Sequence, residues 1–574
     1  MTHRCILLLF ACGLVLSAEP PSWVTDLRTE TADELSPAAW PLAAPLPAAD
    51  VTARYDPPTG VVEGRLRLFI DNGGAAPLQT IGLNLYANGS SYDGCSITLS
   101  DASVDGRATT ISLVDGDRGA LLALPEALAP GEWVSCSVAF RTQLAEAGGG
   151  RGNLLARLPS CHTLYSWLPE PAAQIDGAWS FPDLPVMADP SHVRLADYRC
   201  RLRLPESWSL IASGHEQRTD DGWLLLVPRC RNLVAWLSDW PLQVLSLEHG
   251  GRRIRVAFHG RQTITAAFCA SVARDTLTIA DEAFGPYPRR SYDIVFMPFS
   301  EDVGGMEASG LTFIGSDLAE AFDRTADDPL QDTDARLLHA VIHEVLHSWW
   351  YGQVGNATYT GAWLDEPLTE WSTWYVYEQL RSRQVSQNHI RTFLFYLTWL
   401  GEDLVPMTAT ADRFSDMQFG MLLYVRAPLL YAVLRQRVGD EVFLDCLRDW
   451  YRSGAGNIVD RADWEEHFLV LLPAEERADF VATWLDGTDD LLPESVATVI
   501  DPDLLATLHN LIEQRAGVED DADNSESTDR DSDPARANDD TAGDERTDAA
   551  SDSTEEDDDG DLNAGAEAAS PIGD

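Results

Sequence analysis

Residues 343–347 read His-Glu-Val-Leu-His, two imidazoles four positions apart with a carboxylate between them. On a helix that spacing places His343 and His347 on one face, one turn apart, where both can hold the same metal ion. Zinc suits the pattern, one ion per chain, and it lowers the pKa of a water it binds from about 15.7 to about 7. Glu344 is near enough to accept the proton that such a water gives up. A third protein ligand is needed, with the fourth position open for water and substrate. The run Trp363-Leu-Asp-Glu366-Pro-Leu-Thr-Glu370 follows, with 18 residues between His347 and Glu366, and offers Glu366 as that ligand. Asp365 suits an N-cap and Pro367 a first turn, which predicts Glu366 at a helix start, aimed inward. Glu370, one turn later, is a candidate acceptor for the outer nitrogen of a ligand imidazole. His339 lies on the same face as His343 and reads as a packed or hydrogen-bonded histidine, because Glu366 completes the site without it. Leu338, Ala340, Val341, Ile342, Val345 and Leu346 surround the ligands with apolar side chains, as a buried metal helix requires.

Together these residues resemble the aminopeptidase N family of gluzincin metallopeptidases, which also includes leukotriene hydrolase. Three other segments carry the resemblance. Val303-Gly-Gly-Met-Glu307-Ala-Ser-Gly310, with Glu307 36 residues before His343, is similar to the family's Gly-x-Met-Glu-Asn strand. Phe284-Gly-Pro-Tyr-Pro288 resembles the entry into its catalytic domain. Tyr424-Val-Arg426-Ala-Pro428, followed by Val438-Gly-Asp-Glu-Val-Phe443, resembles its catalytic-tyrosine helix and the helix after it. The resemblance implies that His343, His347 and Glu366 bind zinc, and that Glu344 is general base and then general acid. It implies that Tyr424 donates a hydrogen bond to the oxyanion, and that Glu307 holds the free α-amine of a peptide substrate, with Gly304 and Gly305 beside it where a substrate strand approaches. The expected reaction is removal of N-terminal residues from peptides. An endopeptidase or other zinc hydrolase on the same centre is the alternative; a non-catalytic binding protein on this scaffold is a further one, against which intact Glu344 and Tyr424 speak. Ala308 stands where many members have Asn, and the family's substrate-binding acid in the β domain has no clear match, Glu170 in Leu168-Pro-Glu170-Pro being the one candidate. Fewer than a hundred residues separate Tyr424 from the acidic tail, so the large C-terminal helical domain of bigger members has no counterpart and a more open cleft is expected.

The elements that must position these residues form an α+β multidomain chain, since 574 residues exceed one hydrophobic core. Residues 19–48 are rich in Pro and Ala without a clear period and read as an arm. From 49 to 246 the pattern is β, a saddle- or sandwich-like sheet domain: Leu66, Leu68 and Ile70 alternate with Arg65, Arg67 and Phe69, and turn clusters such as 71–74 and 220–222 recur. From 247 to 516 a thermolysin-like α/β catalytic domain with terminal helices is expected. Its signals are an amphipathic helix over 264–283, a buried strand over 292–297, and helices over 334–351, 367–382, 389–400, 427–438, 440–453, 462–472 and 474–485.

The net charge is -50, of which residues 517–574, with 22 acidic and 3 basic side chains, carry -19. So negative a surface repels phosphate backbones and excludes nucleic-acid binding. The tail holds almost no large apolar residue, cannot offset its ordering entropy, and is predicted disordered, its partner unspecified. Residues 1–18 combine a basic start, an apolar run and a small residue before Glu19, the pattern of a secretory signal peptide. Export to the periplasm, cell surface or medium is expected, with membrane contact only if that segment stays as an uncleaved or lipid anchor. Seven cysteines lie beyond it without a CxxC pair, which argues against a cysteine–zinc site. A Cys200–Cys230 disulfide and plain buried thiols are both compatible with them.

Overall fold

The computed structural model describes residues 19–512, apart from 147–149, 176, 185–192, 300–303, 326–332, 401–403, 489–491 and 501–503. The expected signal segment 1–18 and acidic tail 517–574 therefore lie outside the described residues. An N-terminal β-rich domain is followed by a mixed, then helical, catalytic domain.

The β domain is built on an eight-stranded sheet whose centre is Ala48–Asp56, Val61–Asp71 and Trp133–Gln143. The alternation read at 65–70 sets its register: Leu66 lies opposite Val51 on one side and Val138 on the other, all three buried. A four-stranded and a five-stranded sheet cover the same apolar face. The arm is not irregular throughout. Ser22–Ala32 is a helix that buries Val24 and Leu27 against Ala48 and Phe69, and Arg28 donates to the Leu46 carbonyl. Its two core residues are only three apart in sequence, too short a pattern to show a period.

The catalytic sheet has the strand order Gln243–His249, Arg252–Phe258, Ser291–Met297, Leu311–Gly315, Gly305–Ala308, and its three middle strands are parallel. The expected boundary between 246 and 247 thus falls inside a strand: Gln243–His249 pairs with Arg252–Phe258 and belongs to this sheet. Ser291–Met297 is buried along its whole length, as a parallel strand covered on both faces must be. Ile254, Val256, Ile294 and Phe296 point into the helical core, whereas Ala257, Val295, Met297 and Met306 point into the core of the β domain. Each fully buried Ile or Phe contributes about 1.5–3 kcal/mol. This period-two split uses one sheet as a wall of both cores and fuses the two domains into one compact unit.

On the helical side lie Thr263–Ala283, Thr333–Leu346, Thr358–Leu380, Ala427–Val438 and Asp440–Gly454; all lie near the spans predicted except Thr358–Leu380, which starts well before the expected 367. The described cysteines form no disulfide. Cys200 lies opposite Leu225 and Cys230 opposite Ala196 on a shared strand pair. That offset separates the two by roughly 13 Å along the sheet, beyond the 7 Å or so a disulfide can bridge. Burial pushes the Cys230 thiol up to about 12, so it behaves as a small apolar side chain.

Candidate metal centre

The helix Thr333–Leu346 presents His343 inward, and His347 follows in the turn that closes it. Glu366 comes from the facing helix Thr358–Leu380. That helix departs from expectation. It begins at Thr358, and its break is at Gly361, where φ is -141° and ψ is 23°, so Asp365 is no N-cap and Pro367 lies inside the helix. The cause is Asn356, whose amide donates to the Gly361 carbonyl at 2.7 Å and to Asp365 at 2.9 Å. The Asp365 carboxylate is spent on Asn356, and the chain restarts its helix a turn earlier.

Glu366 nevertheless arrives where it was expected. His343 Nε2 and His347 Nε2 are 3.1 Å apart, and Glu366 Oε2 is 3.3 Å from the first and 3.5 Å from the second. Ligand atoms held tetrahedrally about 2.0–2.1 Å from a zinc ion stand about 3.3 Å apart, so the three atoms form one face of such a polyhedron. All three residues are buried, and Glu366 Oε2 accepts no hydrogen bond. A buried, unsatisfied carboxylate oxygen facing two imidazole nitrogens is the donor set of a cation, and the residues present fit zinc.

The outer nitrogens of both imidazoles are taken. His343 Nδ1 meets Glu370 Oε2 at 3.1 Å, and His347 Nδ1 meets the Trp350 carbonyl at 3.3 Å with the Thr369 hydroxyl at 3.4 Å. Glu370 is itself held by Trp374 Nε1 at 2.7 Å and by His339 at 3.3 Å. Such partners fix the tautomer that leaves each Nε2 free to ligate. Burial disfavours charge on His343, but the adjacent carboxylates of Glu366 and Glu370 outweigh it and hold the metal-free pKa well above the usual value. Glu366 and Glu370 are conversely held well below the ordinary carboxylate range: burial opposes this, and the histidines prevail.

Around this centre stand the other sequence-selected residues. Gly305 lies directly over Glu344, where a Cβ would come within 2.6 Å of Glu344 Cγ, so glycine is needed for the carboxylate to lie flat beneath the strand. Glu307 is two residues further along and points to the same side as Gly305, opposite Met306, which enters the β-domain core. Its carbonyl accepts from the Tyr165 hydroxyl, and its partner Thr312 bonds Tyr292, whose hydroxyl also reaches the Glu344 carbonyl at 3.3 Å. Gly304 is open, with Ala340 Cβ 3.8 Å from where a Cβ would stand. Tyr424 sits on a π-helical turn, Leu422–Arg426, and its ring lies 5.6 Å from that of His343. Pro428 has no N–H to donate to the Tyr424 carbonyl, which favours a wider turn there. Glu170 is buried between Asn84 and Tyr198 in the β domain, and burial pushes its carboxyl up to about 8. None of its described contacts reaches the metal centre. Sequence reasoning missed Trp374 and Thr369; Trp374 had a signal, four residues after Glu370 on one helical face.

Residues 268–484 match the model of the Peptidase family M1 domain. Aminopeptidase 2 of Candida albicans is 26% identical over 205 residues, which are 34% of this chain and 21% of that protein. Aminopeptidase B of Homo sapiens is 37% identical over 98 residues, 17% of this chain and 13% of that one. The chain therefore aligns with about a fifth or less of these curated relatives. Among solved structures, the M1 zinc metallopeptidase from Deinococcus radiodurans matches with a TM-score of 0.56 and 19% identity, covering 78% of this chain and 95% of that one. A mutant of that enzyme has been solved bound to a Tyr-Ser-Ala substrate. Residues 268–484 thus resemble a peptidase family M1 domain, and the chain shares the two-domain fold of the solved M1 zinc metallopeptidase.

Proposed function

We propose that the protein is a zinc aminopeptidase of the aminopeptidase N type that removes N-terminal residues from peptides outside the cytoplasm. The observation that carries this is the edge strand Gly305–Ala308, which puts the Glu307 carboxylate on the same side as the Gly305–Glu344 contact. The strand ends its sheet, so an extended peptide can lie along it by main-chain hydrogen bonds. Glu307 then receives the peptide's terminal ammonium, which limits how far the chain can extend past the metal. When bound, zinc polarises the scissile carbonyl and lowers the pKa of a water. Glu344 takes the proton of the attacking water and returns it to the leaving amine. The Tyr424 hydroxyl donates to the oxyanion, a contribution strongest in a water-excluded site. The names of the curated relatives and the tripeptide held by the Deinococcus enzyme support a peptide substrate. Export is supported by the composition of the N-terminal segment.

The test compares peptides with free and N-acetylated N-termini. A charge-assisted hydrogen bond to the ammonium is worth about 1.5–3 kcal/mol, so the wild type cleaves acetylated peptides poorly. Glu307→Ala loses about ten- to a hundredfold in kcat/KM on free peptides, retains zinc, and changes little on blocked ones. Equal cleavage of both peptide classes at internal bonds by the wild type would mark an endopeptidase instead.

A further inference from the structure

Directly after the metal helix the chain makes a turn that a tyrosine should resist. Tyr351 has φ at +77°, a left-handed conformation that costs a bulky residue about 1–2 kcal/mol. The preceding carbonyl, that of Trp350, is the one that orients His347 through Nδ1. The peptide that fixes a metal ligand is thus held in an unfavourable conformation, and something must over-determine it.

That role falls to a residue 120 positions away in the β domain. Arg231 is 1% exposed, and its guanidinium donates from Nε to the Tyr351 carbonyl at 2.8 Å and from Nη2 to that of Gln353 at 3.4 Å. Nη1 donates to the Val193 carbonyl at 2.6 Å, and the group lies 5.4 Å over the Tyr351 ring. Gly355 makes room for it: a Cβ there would stand 2.4 Å from Arg231 Cζ. The same residue's backbone N–H donates to the Ser309 hydroxyl at 2.8 Å, two residues beyond Glu307. A buried arginine whose described hydrogen bonds go to carbonyls is an uncommon use of a charge, and both ends of this one reach the catalytic machinery.

We infer that Arg231 is a positioning residue for the metal centre: it locks the strained Tyr351 turn, and through the Trp350 carbonyl it sets the orientation of His347. The β domain, on this view, completes a zinc site to which it supplies no ligand. The inference rests on the zinc reading above, and the experiment separates the two.

Zinc affinity is measured by chelator competition, with Tm alongside, for the wild type, Arg231→Lys, Gly355→Ala and Arg289→Lys. Arg289 is the control: it is also buried and joins the domains through the Pro228 and Arg229 carbonyls, with none of its described hydrogen bonds to the 350–355 turn. A wild type that binds no zinc removes the zinc reading itself. Given a zinc-binding wild type, Arg231→Lys keeps the charge but loses the fork, and its zinc Kd rises about 10–100-fold, the range for residues that orient metal ligands. Gly355→Ala displaces the same guanidinium without altering Arg231, gives a rise of the same order, and carries the test where Arg231→Lys does not fold. Arg289→Lys lowers Tm but leaves the Kd within about twofold. Wild-type affinity in folded Arg231→Lys or in Gly355→Ala, or an equal Kd rise in Arg289→Lys, overturns the inference.

Discussion

Two buried acidic clusters, one bridging the β domain and the catalytic sheet and one between the helices, meet their negative charge in opposite ways. In the first, Arg255 reaches across from Arg252–Phe258 and donates to both oxygens of Asp293 and both of Glu216. Every carboxylate oxygen has its hydrogen bond, and the cation belongs to the chain. Burial still pushes Asp293 up to about 6, with Arg255 pulling the other way. In the second, Glu366 and Glu370 face the imidazoles of His339, His343 and His347, with the Trp374 indole N–H on Glu370, and Glu366 Oε2 accepts no hydrogen bond. A cluster that carries its own arginine is a strut. One that lacks a permanent cation and offers three convergent lone pairs is a binding site.

The sharpest break between the two is chemical. Glu344→Gln keeps zinc and lowers kcat by roughly 10²–10⁴-fold, as loss of a general base implies; metal analysis and turnover on an aminoacyl reporter measure both. Near-normal turnover in that variant would remove the proton-transfer role from the second cluster. Arg255→Met acts on the first cluster alone: stranding two buried carboxylates costs about 3–5 kcal/mol of stability, read as a lower denaturation midpoint with zinc stoichiometry unchanged. A smaller loss would mean that water replaces the guanidinium and the strut is dispensable.

The smallest effect distinguishes the clusters by pH. His343 in the metal-free protein has a raised pKa, so the proton it holds competes with zinc. Zinc binding therefore releases a proton, and affinity weakens as pH falls, by up to about tenfold per unit. In the metal-free protein the same shift contributes stability that is fully present below the ordinary histidine value of about 6.5 and is lost as pH rises through the raised one. Calorimetry in buffers of different ionisation enthalpy counts the protons; an uptake on binding would contradict the assignment.

What the sequence by itself determined was everything governed by short-range period. His343, Glu344 and His347 follow from the helical turn, Glu370 from the next turn after Glu366, and the register of Val61–Asp71 from strict alternation. Even Glu366 was legible, although the reason offered for it was wrong. Asp365 and Pro367 have the residue types of a helix start, but Asn356 captures the Asp365 carboxylate and Gly361 breaks the helix earlier. No local pattern reveals which partner a side chain will find. Only the tertiary structure decided the matters that depend on segments far apart in the chain. It placed Gln243–His249 in the catalytic sheet, kept Cys200 and Cys230 out of register, and set Gly305 against Glu344. It also brought Arg231 to the turn beyond His347. These pairings are fixed by how two faces of one sheet bury two different cores, a constraint that exists only once both cores have formed.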